Sequence, residues 1–268
     1  MKNNFEKLFK TTKPVIAMVH LPALPGSPLY NPKLGLNYIL ETAEHDLLTL
    51  QEAQVDAVMF GNENDRPYEF KANPASSSTM AYVIGALSNK IKVPYGVNVL
   101  WDPMSTIAVA ASTGAHFVRE IFTGTYASDM GYWNPDAGKA MRYRNSLSRE
   151  DLLMFYNISA EFAYSLDKRS VAERSKSVVF SSVPDAILIS GQITGESVAI
   201  SELKKVKNLI PNTPVLANTG VKIENVEDTL SVADGVIIGS SLKEDGNTWN
   251  AVDPKRASDF MNKVKSIR

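Results

Sequence analysis

Short apolar segments alternate with longer helical segments along this chain, and this alternation constrains the fold more than any other feature of the sequence. The apolar segments are rich in Val, Ile and Ala, which is typical of strands buried on both faces. The predicted strands span 15–19, 57–60, 95–100, 117–121, 157–164, 186–190, 215–218 and 236–238. The predicted helices span 36–53, 74–88, 105–112, 137–145, 170–181, 197–208, 225–232 and 254–267. This pattern predicts an α/β fold, a (β/α)8 TIM barrel, with an open doubly wound sheet as the alternative.

Two pairs of strand sequences repeat at half the length of such a barrel. The segment 55–60 (VDAVMF) is similar to 184–189 (PDAILI), and 93–98 (VPYGVN) is similar to 213–218 (TPVLAN). In each pair the second strand follows the first by four predicted strands, which favours the barrel. Chance similarity between buried strands is the other explanation. The length of 268 residues suits a barrel of about 250 residues, so we expect a single domain over 1–268.

Charge and residue content exclude several classes of function. The chain has 28 basic and 29 acidic residues and a net charge of −1, so it lacks the basic excess that nucleic acids or anionic membranes attract. The absence of cysteine excludes disulfides, thiolate nucleophiles and Cys-ligated zinc. No Walker A or HExxH sequence, apolar signal-peptide core, or apolar run near ~20 residues is present. We expect a cytoplasmic protein with no membrane span and no nucleic-acid partner. The sequence assigns no metal-binding residues, although the His and carboxylates described below could hold a divalent metal, and it does not identify a cofactor.

Polar side chains collect where the predicted strands end. The candidate catalytic residues are His20, Glu63, Asp65, Asn98, Arg119 and Glu161. Because the C-terminal ends of parallel barrel strands meet at one face, we expect these side chains to converge on one cavity. Histidine and carboxylates in such a cavity are suited to acid–base chemistry. No lysine lies in or directly after the fifth and sixth predicted strands, which disfavours Schiff-base chemistry.

Each of these residues also has a structural interpretation. His20 could cap a strand, and Glu63 with Asp65 could form a solvated turn. Arg119 could make an ion pair with Glu63 or Glu161, and Asp102 could be the N-cap of a helix instead of a catalyst. Arg119 and Glu120 alternate along a strand, so we expect only one of them to face inward.

Small residues follow the seventh and eighth predicted strands. Thr219 and Gly220 follow the seventh strand, and Gly239 and Ser240 follow the eighth. In TIM barrels these two loops commonly bind phosphate through backbone N–H groups, which small residues leave accessible. The sequence therefore predicts a phosphate site at these four residues, helped by the short helix that follows. Ordinary turns rich in Gly, Ser and Thr are the alternative.

Two long connecting segments, 21–35 and 122–136, follow the first and fourth predicted strands. Both should therefore lie over the mouth of the barrel, and loops of this length are commonly functional. We expect the aromatic side chains Tyr126, Tyr132 and Trp133 to pack over a cavity or against a neighbouring subunit, which would make the protein a homo-oligomer.

Several motifs resemble those of the BtpA/SgcQ family of TIM-barrel proteins over nearly the whole chain. The segment 16–28 (IAMVHLPALPGSP) is similar to the N-terminal signature of that family. Further similar motifs are ENDRPY at 63–68, VPYGVNVL at 93–100, FVR at 117–119, FTG at 122–124, DMG at 129–131, RYR at 142–144, TG at 194–195, Gly220, ENV at 224–226 and GSSLK at 239–243. The resemblance implies a ribulose-phosphate-binding type of barrel.

The resemblance implies two classes of function. One is an enzyme that acts on a phosphorylated sugar or related metabolite, as an isomerase, epimerase or lyase. The other is a non-catalytic assembly or stabilising factor of the kind involved in photosystem I biogenesis. The chain departs from the family where Ser165 and Leu166 replace a Lys-His pair, with Glu161 at the place of a preceding Asp. Asn218, Thr219 and Gly220 also replace a usual Gly-Ser-Gly.

Overall fold

The computed structural model describes residues 2–191 and 197–268. Its strands are β1 Val15–His20, β2 Ala57–Gly61, β3 Tyr95–Asn98, β4 Phe117–Glu120, β5 Tyr126–Ser128, β6 Gly131–Trp133, β7 Leu153–Asn157, β8 Ala163–Ser165, β9 Ala186–Ser190, β10 Val215–Asn218 and β11 Gly235–Ile238. Its α-helices are α1 Lys2–Phe9, α2 Gly35–Glu52, α3 Pro74–Leu87, α4 Pro103–Thr113, α5 Ala137–Ser146, α6 Val171–Ser182, α7 Ile200–Leu209, α8 Val226–Val232 and α9 Pro254–Ile267.

Eight parallel strands close into a barrel in the order β1-β11-β10-β9-β7-β4-β3-β2. Closure confirms the predicted TIM barrel and excludes the open sheet. The similar sequences found at half-barrel spacing lie in β2 and β9 and in β3 and β10, and the strands of each pair are on opposite sides of this ring. Among the described helices, none is long and apolar enough to cross a membrane.

Alternate residues of each strand face the interior of the barrel or the helices outside it. On β1, Ile16 and Met18 belong to a compact interior cluster. Val15, Ala17 and Val19 belong to the larger core between the strands and the helices. This period of two follows from strand geometry, and it determines which polar residues can reach the site at the end of the barrel.

Helix α1 closes the N-terminal end of the barrel and was not expected from the sequence. Phe5 and Phe9 are buried against Phe117 and Phe155 of the interior cluster, with ring centroids 5.8 Å apart for Phe5 and Phe155 and 5.9 Å apart for Phe9 and Phe117. A short amphipathic helix of this kind is stabilised by the face that it buries.

Capping residues account for the positions at which several helices begin. Asp102 is the N-cap of α4, where its carboxylate accepts hydrogen bonds from the backbone N–H groups of Met104 at 2.9 Å and Ser105 at 3.1 Å. The capping alternative for Asp102 is therefore confirmed. The other helix ends agree with the prediction or differ from it by at most three residues, and the largest difference is at α7, which begins at Ile200 instead of 197. Residues 192–196, which include the expected motif at Thr194 and Gly195, lie outside the described residues.

The predicted fifth strand, 157–164, is wrong. The barrel strand is β7, which ends at Asn157, and the apolar segment before Asn157 is wholly buried. Phe162 has a left-handed backbone with φ of 56°, which is incompatible with a continuous strand through 157–164. The segment after it forms β8, in a separate antiparallel sheet ordered β6-β5-β8. We call this three-stranded unit the lid sheet.

The lid sheet contains the aromatic residues of the long segment after β4. Tyr126 and Trp133 are buried against Leu100, Trp101 and Ile121, as expected for side chains that pack over the site. Tyr132 does not pack over the cavity, since it is 82% exposed, and its packing against a neighbouring subunit remains a prediction. Successive side chains of a strand point to opposite faces, and only the face of β6 that carries Trp133 is covered.

Candidate functional site

A cavity opens at the C-terminal end of the barrel, with a volume of about 470 Å³. This is the size of a small-molecule site. The lining includes eight of the ten candidate residues, and these are His20, Glu63, Arg119, Glu161, Thr219, Gly220, Gly239 and Ser240. They are supplied by β1, β4 and by the segments after β2, β7, β10 and β11. Contributions from several strand ends at one face are typical of catalytic sites in this fold.

The other two candidates, Asp65 and Asn98, lie outside the cavity lining. The carboxylate of Asp65 accepts hydrogen bonds from the backbone N–H of Leu24 at 2.7 Å and from Nδ2 of Asn62 at 3.2 Å. It therefore ties the long segment after β1 to the turn after β2. Asn98 is wholly buried and donates from Nδ2 to Oε2 of Glu120 at 2.6 Å. Both residues hold neighbouring groups in place.

His20 and Glu63 face each other within the cavity, with Nε2 of His20 3.8 Å from Oε1 of Glu63. Burial, reinforced by the positive charges of Lys243 and Arg119, lowers the pKa of His20 well below its ordinary value, so the imidazole is neutral. Burial raises the pKa of Glu63 to about 7. A neutral imidazole beside a carboxyl that titrates near neutrality is suited to moving a proton.

Position 239 must be glycine because of the close approach of His20. A Cβ atom at Gly239 would lie 2.8 Å from Cε1 of His20, closer than non-bonded carbon atoms approach. The small residue after β11 therefore gives room to the imidazole of His20, and both residues line the cavity.

Glu120 also lines the cavity, although only one of Arg119 and Glu120 was expected to face inward. The alternation argument fails because Glu120 is the last residue of β4, where the chain leaves the sheet. Its carboxyl accepts from Asn98 and from the backbone N–H of Ile121 at 2.8 Å. Burial raises the pKa of Glu120 to about 8, so this group carries a proton near neutral pH.

Arg119 belongs to a buried polar network. Its Nη1 donates to Oδ1 of Asn218 at 3.3 Å, and Nδ2 of Asn218 donates to Oγ of Ser190 at 2.8 Å. Asn157 donates from Nδ2 to the same Oγ at 3.0 Å. The network joins β4, β10, β9 and β7 and orients the guanidinium group at the cavity.

The small-residue loops after β10 and β11 are fastened to each other. Oγ of Ser241 donates to the backbone carbonyl of Val221 at 2.8 Å, and Oγ of Ser240 lies 2.5 Å from Oγ1 of Thr248. Thr219 has a φ of 65°, a conformation that costs about 1–3 kcal/mol for a non-glycine residue and is common at functional sites. The two loops therefore form one ordered edge of the cavity.

Charged side chains surround this edge. Lys222 and Arg256 line the cavity beside the small-residue loops. Three carboxylates, Glu224, Asp245 and Asp259, also line the cavity and are exposed like the two basic residues, and Asp259 is paired with Lys255. The helix α8 begins at Val226, one residue from the predicted start, and its N-cap residue Asn225 donates from Nδ2 to the backbone carbonyl of Gly220 at 3.0 Å.

Lys243 is not available to a ligand. It is almost completely buried in an ion pair with Asp46 of α2, and Oδ1 of Asp46 also accepts a hydrogen bond from the backbone N–H of Val252 at 2.8 Å. This pair anchors the chain just after the loop that contains Gly239 and Ser240. It holds the loop against the outer layer of helices.

Three aromatic residues, Tyr68, Trp101 and Phe162, form another side of the cavity, which we call the aromatic wall. Their ring centroids are 6.1 to 6.4 Å apart, so the rings pack against one another. The hydroxyl of Tyr68 donates to the backbone carbonyl of Glu63 at 2.9 Å. Sequence reasoning did not identify this wall, although Tyr68 lies in one of the family motifs.

Several buried polar atoms at the cavity are left without a partner. Among the described residues, no hydrogen bond is made by Nδ1 of His20, Oε2 of Glu63, Nε1 of Trp101 or Nε of Arg119. Unpaired buried polar atoms are costly, and in a native site they point to a ligand. Within residues 2–191 and 197–268, no group of three or more His, Asp or Glu side chains is arranged to hold a metal ion.

Ser165 and Leu166, the two residues expected to replace a Lys-His pair of the family, lie at the lid sheet and not on a barrel strand. Ser165 is opposite Tyr126 in the pairing of β8 with β5, and Leu166 is exposed. The cavity is lined by Glu161 and Phe162 from the segment between β7 and β8, and Ser165 and Leu166 lie farther along the chain. The replacement therefore alters the edge of the lid sheet.

A closed parallel barrel with a polar cavity at its C-terminal end defines a TIM-barrel protein with its site in the usual place. Solved structures show the same architecture. Phosphoribosyl anthranilate isomerase from Thermus thermophilus has a TM-score of 0.58 and 11% identity, covering 95% of this chain and all of the other. A structure described as native KDPGal has a TM-score of 0.59 and 16% identity, covering 96% of this chain and 97% of the other. At these identities the likeness shows the fold alone.

The chain belongs to the BtpA family, whose sequence profile matches residues 11–266. It is 45% identical over 263 residues to SgcQ, a protein of the sgc region of Escherichia coli K12, with 98% of both chains covered. It is 32% identical over 256 residues to the photosystem I biogenesis protein BtpA of Synechocystis PCC 6803, with 94% of this chain and 88% of the relative covered. The resemblance seen in the sequence motifs is confirmed.

Proposed function

We propose that this protein is an enzyme that binds a phosphorylated small molecule, such as a sugar phosphate, and transfers a proton on it. The observation that carries the proposal is the combination, in one cavity, of the His20–Glu63 pair with the small-residue loops after β10 and β11. The loops are suited to a phosphate group and the pair is suited to proton transfer. A location in the cytoplasm and self-association remain predictions.

The phosphate would be bound at Thr219, Gly220, Gly239 and Ser240. Ser240 begins a 3₁₀ turn, and the first N–H groups of such a turn have no acceptor within the turn. Gly220 and Gly239 have no side chain to keep a ligand from the backbone. Lys222 and Arg256 line the same edge and would contribute positive charge.

Proton transfer would be carried out by Glu63, with His20 as a neutral hydrogen-bonding partner. A carboxyl with a pKa of about 7 is present in both protonation states at neutral pH, so it can serve as acid and as base. The neutral imidazole can donate a hydrogen bond to a substrate oxygen without placing a second positive charge beside Arg119. Arg119 would stabilise negative charge that develops on that oxygen.

Ligand titration tests the binding half of the proposal. Inorganic phosphate, pentose phosphates and hexose phosphates are titrated by calorimetry, with thermal shift as a second readout. The Ser240→Asp variant, which adds negative charge at the predicted phosphate position and leaves Gly239 next to the imidazole of His20, should lose binding. Gly85→Asp is the matched control, because a Cβ at Gly85 on the exposed side of α3 meets no atom within 4 Å. Equal binding by both variants would contradict the proposed phosphate position.

Hydrogen exchange tests the catalytic half. A sugar phosphate that binds is incubated with the protein in D₂O, and loss of carbon-bound hydrogen is followed by NMR. We expect exchange with the parent protein and none with Glu63→Gln, which keeps the shape of the side chain and removes its proton transfer. Binding without exchange for every ligand would instead favour a non-catalytic assembly or stabilising factor, the role in the name of the relative BtpA.

A further inference from the structure

The two chemically distinct sides of the cavity lie across the barrel from each other. The aromatic wall is supplied by the segments that follow β2, β3 and β7, whereas the small-residue loops follow β10 and β11. In the ring of eight strands, β3 is directly opposite β10. A ligand held at the small-residue loops therefore extends across the polar floor, past His20 and Arg119, towards the aromatic wall.

The aromatic wall is rigid. Tyr68 is held by its hydrogen bond to the carbonyl of Glu63, and Trp101 packs edge-on against Trp133 of the lid sheet with centroids 4.9 Å apart. Phe162 is held in a left-handed conformation that a bulky residue adopts only when its surroundings impose it. Because the rings pack against one another, a ligand in the cavity contacts them from the side that lines the cavity.

Trp101 adds a polar group to this apolar side. The residue lines the cavity and is 4% exposed, and its indole N–H has no acceptor among the described residues. Buried tryptophan N–H groups usually have a hydrogen-bond partner. A heteroatom of a ring packed on the wall would supply the missing acceptor. An acyclic sugar phosphate has no apolar part to cover the wall.

We infer that the substrate carries a phosphate group at one end and a planar unsaturated ring at the other, as in a nucleoside monophosphate or another ribose phosphate bearing a heterocycle. This inference rests on the proposed function, since it takes the phosphate position from it. Beyond the proposed function, it specifies that the phosphorylated substrate bears a planar ring, which narrows the class of substrate. The ring packs on the aromatic wall, the phosphate is bound at Gly220 and Gly239, and the sugar lies over His20 and Glu63.

The test compares ligands that differ only in the ring. Dissociation constants of ribose 5-phosphate and of the adenosine, guanosine, cytidine and uridine 5′-monophosphates are measured by calorimetry at one ionic strength. Aromatic stacking is tolerant of the base, so each nucleotide should bind about tenfold more tightly than ribose 5-phosphate. Nucleotides that bind no more tightly than ribose 5-phosphate would overturn the inference and leave the proposed function intact.

Two variants of Tyr68 test whether the aromatic wall causes the tighter binding of nucleotides. Tyr68→Leu removes the ring, so nucleotides should bind it no more tightly than ribose 5-phosphate does. The affinity for ribose 5-phosphate should stay within about twofold of the parent value. Tyr68→Phe keeps the ring and loses only the hydrogen bond to the carbonyl of Glu63, so it should still bind nucleotides about tenfold more tightly than ribose 5-phosphate. Thermal unfolding checks that both variants are folded. An advantage that survives in Tyr68→Leu would place the ring elsewhere and contradict the inference. Failure of every phosphorylated compound to bind the parent would overturn the proposed function together with this inference.

Discussion

The two ends of the barrel are built from the same eight strands and have opposite chemistry. At the N-terminal end, Phe5 and Phe9 of α1 close the barrel over the rings of Phe117 and Phe155, which stack with centroids 5.0 Å apart. At the C-terminal end, inward positions of the same strands carry polar side chains, several with unpaired atoms. Along β7 the change from an apolar to a polar interior occurs between Phe155 and Asn157.

This contrast indicates that stability and function are concentrated at different ends. Close-packed apolar rings gain free energy on burial, whereas unpaired buried polar groups cost free energy and are retained where a ligand uses them. Substitutions at the N-terminal end should therefore change stability, and those at the C-terminal end should change ligand binding. The predictions below test this division, beginning with the largest expected effect.

Phe155→Ala should lower the free energy of unfolding by about 3–5 kcal/mol, because it opens a cavity among packed rings. Urea denaturation measures the loss. Asn157→Ala, two residues along the same strand, is the matched comparison and should cost about 1–3 kcal/mol through its hydrogen bonds with Ser190. An equal or greater cost at Asn157 would contradict the division between the two ends.

Lys243→Met should lower the free energy of unfolding by about 3 kcal/mol, because it leaves the carboxylate of Asp46 buried without its partner. Adding Asp46→Asn in the same chain should recover much of this loss, since the amide keeps an acceptor for the N–H of Val252. A double-mutant cycle by urea denaturation measures the coupling between the two residues. If the double variant were as unstable as the sum of the singles, the pair would not act as a unit.

The carboxyl of Glu120 should make stability depend on pH. Its folded-state pKa of about 8 lies above the unfolded value of 4.5, so the folded protein binds this proton more tightly and stability falls as pH rises between them. From pH 6.5 to pH 8 the parent should lose about 1–2 kcal/mol more than Glu120→Gln. His20 does not interfere, because its lowered pKa destabilises the fold only as pH falls below 6.5. If the free energy of unfolding of the parent and of Glu120→Gln changed with pH in the same way, Glu120 would not be buried and protonated.

Arg119→Met should lower the free energy of unfolding by only about 1 kcal/mol, because it removes the long 3.3 Å hydrogen bond to Asn218 together with a buried guanidinium whose Nε is already unpaired. The same variant should lose the binding of phosphorylated ligands, since it removes the cation of the cavity floor. Thermal unfolding and calorimetry on one preparation separate the two effects. A large loss of stability would place Arg119 with the structural residues instead of the site.

The sequence was sufficient to predict the barrel and most of the candidate site. The alternation of buried strands and helices specifies the architecture. In that architecture the C-terminal ends of the strands meet at one face, independently of the contacts that individual side chains make. This is why His20 and Gly239 could be placed on one cavity from their positions alone. The functional roles of these residues remain predictions until ligands are tested.

Features that depend on tertiary contacts were missed or misplaced. The left-handed backbone of Phe162 separates β7 from β8, and no local pattern marks it. The aromatic wall unites residues from three different loops, and Lys243 meets Asp46 across 197 positions of the chain. Such pairs form because the fold brings their elements together, so propensity and periodicity do not reveal them.

The central claim, that the C-terminal end of the barrel binds a phosphorylated ligand, is tested most directly by a crystal structure grown with ribose 5-phosphate. The account predicts phosphate density within hydrogen-bonding distance of the backbone at Thr219–Gly220 and Gly239–Ser240, with the sugar towards His20 and Glu63. Phosphate bound only outside the barrel, or a cavity that stays without ligand at millimolar ribose 5-phosphate and at millimolar nucleotide, would contradict it.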